Sequence, residues 1–336
     1  MGTLKLTSWN VEHLDRLTQN NLSATQKKRR DAVVAEVRAL DPDFLCVLEG
    51  PKGEAAIDRV ADGLLGGDWV AVKADDGKYA TLGTQWIWFL VRRQLADRAS
   101  LLPVATWDAF TRPRWPCCFW GEFEERNHQH YRHPQVLVVD WDGLRVEFVG
   151  LHLKSKFVNQ GQSMWNAGGE RRQQFIREAL TARIKMTTEA TNVREYVDAK
   201  FRQVENPAIF VLGDLNDGPG KEWLEDRFLF FDLISNVQGD IFAASRYLNH
   251  ALFDFPDHLR WSVFFKDFVE PERDPHILLD HIMFTQGLVN GSLPWQIESR
   301  AGKVEHEIHD LINAPLPSSA KTSDHKPVSV AIKTAD

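Results

Sequence analysis

The segment that most constrains this chain is Ala208-Ile209-Phe210-Val211-Leu212-Gly213-Asp214-Leu215-Asn216-Asp217. An unbroken apolar run of this length reads as a buried strand, and Gly213 ends it. An acid, an apolar residue, an amide and a second acid follow. If the extended backbone continues past the glycine, Asp214 and Asn216 point to the same side. A carboxylate and a carboxamide then stand together at the carboxyl end of a rigid support. A plain strand and turn fits the same residues, since Asp, Asn and Gly all favour turns. The rest of the chain decides between the two.

The same punctuation recurs elsewhere. A strand over 4–9 ends at Asn10, one over 44–48 ends at Glu49, and one over 145–151 runs into His152. The strand-like run 277–284 carries Asp280, and Asp324-His325 immediately precede a last strand over 328–332. Further strands are expected over 69–72, 85–91 and 135–140, and helices over 55–65, 170–204 and 222–228. Ala32, Val33, Val37 and Leu40 recur at helical spacing, so the basic cluster Lys27-Lys28-Arg29-Arg30 reads as the solvated start of that helix. Residues 154–169 are polar and read as a loop. Residues 101–132, rich in aromatics and histidine, read as a long surface excursion of the lid or specificity-loop kind.

Composition narrows the partners. The formal net charge is -7, whereas non-specific duplex binders neutralise phosphates with a basic face. The three cysteines are Cys46, Cys117 and Cys118, an odd count with two adjacent, which is neither a disulfide framework nor zinc-ligand spacing. No basic-then-apolar leader and no bilayer-length apolar run is present. These features place the expected protein in the cytoplasm, with no membrane partner and no obligate protein partner.

The polar strand ends carry a definite chemistry. Glu, Asp and Asn without thiolates form an oxygen-rich set, which suits Mg²⁺ or Mn²⁺ better than zinc. Two histidines offer proton transfer or donation to a developing oxyanion, and an aspartate within reach would orient a ring. The chain has no phosphate-cradling glycine loop and no Gly-x-Ser-x-Gly turn. That combination points to metal-assisted attack by water.

The ordered series Ser8-Trp9-Asn10, Leu48-Glu49, Gly150-Leu151-His152-Leu153, Gly213-Asp214-Leu215-Asn216, Leu279-Asp280-His281-Ile282 and Ser323-Asp324-His325 with Pro327 resembles the endonuclease/exonuclease/phosphatase superfamily, the deoxyribonuclease-I-like fold. The resemblance spans the chain from end to end. It implies one α/β (α+β) domain over 1–336, a four-layer αββα sandwich of two mixed β-sheets packed face to face with helices outside. It also implies Glu49 as the main metal ligand, with Asn10 and Asp324 close by. His325 would be the general base or bind the phosphate, and Asp280 would orient it. Asp214 would position or deprotonate the attacking water, Asn216 would hold a phosphate oxygen, and His152 would donate to the phosphate or the leaving oxygen. Arg132 resembles a further substrate-binding position.

Lys154 and Lys156 alternate after His152 and read either as phosphate contacts or as solvated lysines. Trp165 and the aromatics of 107–131 read as a stacking surface for a base or as core. The expected activity is a divalent-metal-dependent phosphoesterase acting on a phosphoester, small molecule or nucleic acid. The alternative is an endonuclease or exonuclease cleaving DNA or RNA, and after that an inactive binding scaffold.

Overall fold

The computed structural model describes residues 2–111, 114–119, 122–229 and 231–335, with 114–119 and 122–126 described as backbone only. Pro113 and the Cys117 and Cys118 side chains lie outside the described residues.

Two mixed sheets form the centre. The first takes its strands from Gly2–Asn10, Phe44–Gly50, Trp69–Ala71, Trp86–Arg92, Trp295–Gln296, Gly302–Val304 and Val328–Thr334. The second takes Ala99–Leu101, Gln135–Trp141, Leu144–His152, Ala208–Asp214, Asn249–His250 and Asp280–Phe284. Each sheet holds one parallel pair, Gly2–Asn10 with Phe44–Gly50 and Leu144–His152 with Ala208–Asp214. The remaining main-sheet pairings are antiparallel.

The sheets meet through aromatic rings. Phe44 of the first sheet lies 5.1 Å from Phe148 of the second, which in turn lies 4.9 Å from Phe210. All three rings are fully buried, and such pairs add to what burial alone contributes. Helices cover the outer faces. Ala24–Leu40 lays Val33 and Val37 over Leu45, Val47 and Leu90 of the first sheet. It begins with a reciprocal cap: the Gln26 amide N–H donates to Ser23 Oγ at 3.2 Å, and the Ser23 N–H donates to the Gln26 side chain at 2.9 Å. Gly169–Gln203 lays Met186, Ala190, Val193 and Val197, at helical spacing, over Val149, Ile209, Val211 and Met283 of the second sheet. The four-layer αββα arrangement is therefore present.

Some local expectations change. Gly213 lies inside its strand rather than ending it, at φ 139°, and a Cβ there would meet the Leu151 carbonyl oxygen at 1.9 Å. Only glycine lets the two parallel strands approach this closely. The loop expected over 154–169 contains a helix, Gly161–Ala167, with Met164 buried. Within the excursion at 101–132, Trp107 is not at the surface; it is fully buried and stacks on Tyr196 at 4.4 Å. Among the described residues, no helix is long and apolar enough to cross a membrane.

Candidate active site

The carboxyl ends of the two parallel pairs face each other. Asn10 ends one pair, and His152 stands opposite Asp214 at the end of the other. Asp280, which opens an antiparallel neighbour, is in register with Asp214. His325 arrives just before the last strand of the first sheet. Ligand sites in open sheets form at such carboxyl ends, where several strands deliver side chains to one rim.

Direct contacts join these residues. Asn10 Nδ2 donates to Asp214 Oδ2 at 3.1 Å, and His152 Nε2 lies 3.4 Å from the same oxygen. His325 Nδ1 donates to Asp280 Oδ2 at 2.7 Å, while its Nε2 lies 3.8 Å from Asp214 Oδ2 and 4.0 Å from Asp324 Oδ1. Asp280 is fully buried, yet its Oδ1 has no hydrogen-bond partner among the described residues. Ser262 Oγ accepts from the Asp280 N–H at 3.2 Å, and Ser323 Oγ donates to the Asn10 carbonyl at 2.6 Å. Both hydroxyls brace the backbone that carries the site.

Burial and charge tune the groups. Burial opposes a charge on His325, but Asp280 and then Asp214 outweigh it and raise its pKa to about 10. Burial drives the Asp214 carboxyl up to about 6 against the opposing pull of His325. Burial, followed by the charges of Arg132 and His325, pushes His152 well below its ordinary value, so its imidazole is neutral.

Asn216 reaches this rim by another route than alternation. The backbone turns left-handed there, at φ 53°, so the extended conformation stops at Asp214. The Asn216 N–H donates to Asp214 Oδ1 at 2.8 Å, and its Nδ2 donates to the Leu153 carbonyl at 3.0 Å. Aspartate closing such a turn on its own backbone is a local device that competes with strand continuation.

Glu49 is also held in a left-handed conformation, at φ 54°, where the pairing register shifts between Val47 and Gly50. Backbone strain of this kind costs on the order of 1–3 kcal/mol and persists only where surroundings fix it. Here a turn at Glu12-His13, itself at φ 43° and 56°, ties two site residues together. The Glu12 N–H donates to Asn10 Oδ1 at 3.0 Å, and the His13 N–H donates to Glu49 Oε2 at 2.9 Å. Gln85 Nε2 donates to the same Glu49 oxygen. Gln85 Oε1 accepts from Arg132 at 2.8 Å. Glu49 Oε1 accepts no protein hydrogen bond among the described residues. Asp324 is 64% exposed, and its nearest charged partner is the 4.0 Å contact with His325. Glu49 and Asp324 thus keep carboxylate oxygens free of protein hydrogen bonds among the described residues, the oxygen-donor chemistry that suits a hard divalent cation. Asp214, Asp280 and His325 likewise bring one donor atom each within 4.8 Å of one another.

Sequence reasoning missed several contributors. His13 and Gln85 carry no motif signal, because their partners are remote in sequence. Arg29, expected to be a solvated helix start, instead donates to the carbonyls of Val11, Glu12 and Thr322 through Nη2, and through Nε to Lys321. It thereby ties the loops on which Asn10 and Asp324 sit. Burial lowers its pKa, with Glu12, Asp324 and Glu49 among the charges it feels.

Lys154 and Lys156 part company. Lys154 is half-buried, and its Nζ donates to the Ser155 carbonyl at 2.8 Å, outside the Asp214 network. Lys156 is neither a phosphate contact nor a solvated lysine. It lies in a buried cluster with Asp217, Glu222 and Glu225. Trp165 packs edge-on against Phe175 and Trp223, which is the core reading.

No family model matches the chain, and no curated protein matches it. Solved structures do. TDP2 from Caenorhabditis elegans aligns at 16% identity over 99% of this chain and 75% of that chain, with a TM-score of 0.52. TDP2 from D. rerio, complexed with a single-strand DNA product, aligns at 15% identity over 99% and 100%, with a TM-score of 0.52. The human Nocturnin catalytic domain with bound sulfate anion aligns at 13% identity over 99% and 95%, with a TM-score of 0.51. At these identities the likeness carries the fold, and that fold is the deoxyribonuclease-I-like one the motifs imply.

Proposed function

We propose that this chain is a divalent-metal-dependent phosphoesterase, a single catalytic domain over 1–336 that hydrolyses a phosphoester by in-line attack of water. The observation that carries the reading is the convergence of Asn10, His152, Asp214, Asp280 and His325 on one contact network at the carboxyl ends of both parallel pairs. Glu49, Asp324 and the Asn10 amide oxygen would hold the cation, which we take to be Mg²⁺ or Mn²⁺. The ion would supply positive charge beside the phosphate oxygens.

The chain's own groups divide the remaining work. Carboxylates on two sides of His325 keep a proton on both ring nitrogens, so its Nε2 donates to a phosphate oxygen. Asp280 fixes the ring and balances its charge. Asp214, anchored by Asn10 and by the Asn216 amide, orients the attacking water and accepts its proton. Asn216 and neutral His152 face the phosphate and leaving oxygens as uncharged polar groups. Preorganised donors of this kind contribute roughly 10²–10³ each in rate.

The test is hydrolysis of bis(p-nitrophenyl) phosphate by chelated protein to which Mg²⁺ or Mn²⁺ is returned. Turnover should appear only with metal. Metal-independent turnover, or none across plasmid DNA, RNA, dinucleotides and phosphorylated small molecules, overturns the reading. The D. rerio TDP2 neighbour holds a single-strand DNA product, which keeps nucleic acid among the substrates to screen. A steep loss of binding with salt would identify a nuclease, because counterion release scales with phosphate contacts.

A further inference from the structure

Beside the proposed site lies a cavity of about 610 Å³. His325, Asp324 and Asn216 line part of it. Its volume falls within the range of pockets that enclose a whole small molecule, roughly 300–1,000 Å³. A scissile phosphate alone would leave most of it vacant.

Rings line much of the wall. Phe157 comes from one segment, and Phe265 and Phe268 come from another. Trp223 contributes from a third. Phe157 and Phe265 are 75% and 51% exposed, so large apolar surfaces remain in water at the edge of a polar site. A concave wall of aromatic rings with a few polar groups is the composition of small-molecule pockets.

The charges in the wall do not suit a second phosphate. Lys156 and Arg183 line the cavity but are committed to Asp217, Glu222 and Glu225. Lys266 stands beside Asp267, and the two sum to zero. Apart from Asp324 and His325, the remaining polar wall is uncharged: Gln160 and Gln162 line it, and their side chains make no hydrogen bond to other described residues. Amide groups of this type read the edge of a ring through hydrogen bonds, while rings stack on its faces.

We propose that the chamber takes one uncharged planar ring of nucleoside size, carried on the phosphate that reaches His325. The substrate is then a phosphoester with one ring-bearing arm, not a polyphosphate and not an extended run of nucleic-acid backbone. This assignment rests on the phosphoesterase reading and narrows its substrate class.

Calorimetric binding to the Mg²⁺-loaded protein tests it with methyl phosphate, thymidine 5′-phosphate and thymidine 3′,5′-bisphosphate. Thymidine 5′-phosphate should bind at least about fivefold more tightly than methyl phosphate, the lower end of what one base–aromatic stack contributes. The second phosphate should add nothing. The double variant Phe157→Ala, Phe265→Ala should erase the ring preference, and because both side chains are largely exposed its melting temperature serves as the folding control. Equal binding of methyl phosphate, tighter binding of the bisphosphate, a preference that survives the double variant, or no binding at all overturns the proposal. Turnover of bis(p-nitrophenyl) phosphate is measured alongside. Ring preference without turnover removes the hydrolase reading alone, and turnover without ring preference removes the chamber assignment alone.

Discussion

Two buried clusters of titratable groups lie close in this chain, and they differ in what remains uncommitted. Asp214, Asp280 and His325 form one; Asp217, Glu222 and Glu225 form the other, and each brings its donor atoms within 4.8 Å. In the second, Lys156 contacts all three acids, and Arg183 contacts Glu222 and Glu225. Burial works against the Glu222 charge, yet Lys156 and Arg183 hold its pKa down to about 2. Burial still raises the Asp217 pKa to about 6 against the pull of Lys156, so the two cations hold the three acids together without fully offsetting their burial. In the first, a single imidazolium serves two carboxylates, and Asp280 Oδ1 has no hydrogen-bond partner among the described residues. The cavity touches both clusters, at His325 of the first and at Lys156, Arg183 and Glu222 of the second. Proximity of carboxylates therefore does not make a site. With access common to both, unspent bonding capacity is what separates them.

The largest expected effect separates the clusters by activity. Asp214→Ala and His325→Ala should each lower hydrolysis of bis(p-nitrophenyl) phosphate by at least about 10³-fold while a cooperative thermal transition is retained. Wild-type-like turnover by either variant would sink the assignment of the first cluster. Lys156→Met tests the second. It leaves three acids short of their shared cation and should cost about 3–5 kcal/mol in denaturant unfolding. Recovery of that loss on adding Mg²⁺ would break the contrast, since the second cluster would then be a metal site as well.

A smaller effect probes the boundary between the two. The Leu252 N–H donates to His250 Nδ1 at 3.0 Å, His250 Nε2 donates to His281 Nδ1 at 2.9 Å, and His281 Nε2 donates to the Asp217 carbonyl at 2.8 Å. Both rings are neutral in this chain of bonds, and burial lowers both pKa values from 6.5. The unfolded protein therefore binds more protons below pH 6.5, so the stability these rings confer is complete above that value and is lost as pH falls. Each ring adds a slope of up to about 1.4 kcal/mol per pH unit. Melting temperatures from pH 7 to 5 should fall, and His250→Asn should flatten the decline. An unchanged slope in that variant would mean other groups set it.

Several parts of this arrangement are legible in the sequence because local pattern and burial agree there. The helix expected over 170–204 is Gly169–Gln203, and the strand carrying Asp280 is Asp280–Phe284. Asn10, His152 and Asp214 stand at strand ends because an apolar run must stop where the chain meets a polar rim. Other features depend on partners remote in sequence. Lys156 is buried only because acids 61 to 69 residues later surround it, and nothing near Lys156 signals that. Glu49 and Asn216 adopt left-handed backbone that no local preference requires of them, although Asn tolerates it. Helix Gly161–Ala167 has a polar sequence, and its place is set by Met164 packing beneath Phe175 and Leu224.

The first and last strands pair along their length, from Gly2 opposite Thr334 to Ser8 opposite Val328. That pairing has a consequence during synthesis. Trp9 Nε1 reaches the His325 carbonyl at 3.0 Å only after more than three hundred further residues have been added. Until then the strand Gly2–Asn10 lacks its antiparallel neighbour, and Asp214 and Asp280 lack the imidazole between them. A ribosome-bound chain short of residue 325 thus cannot contain the finished rim. Contacts this distant in sequence also slow folding. The polar rim is therefore assembled only after the segment carrying His325 has been made.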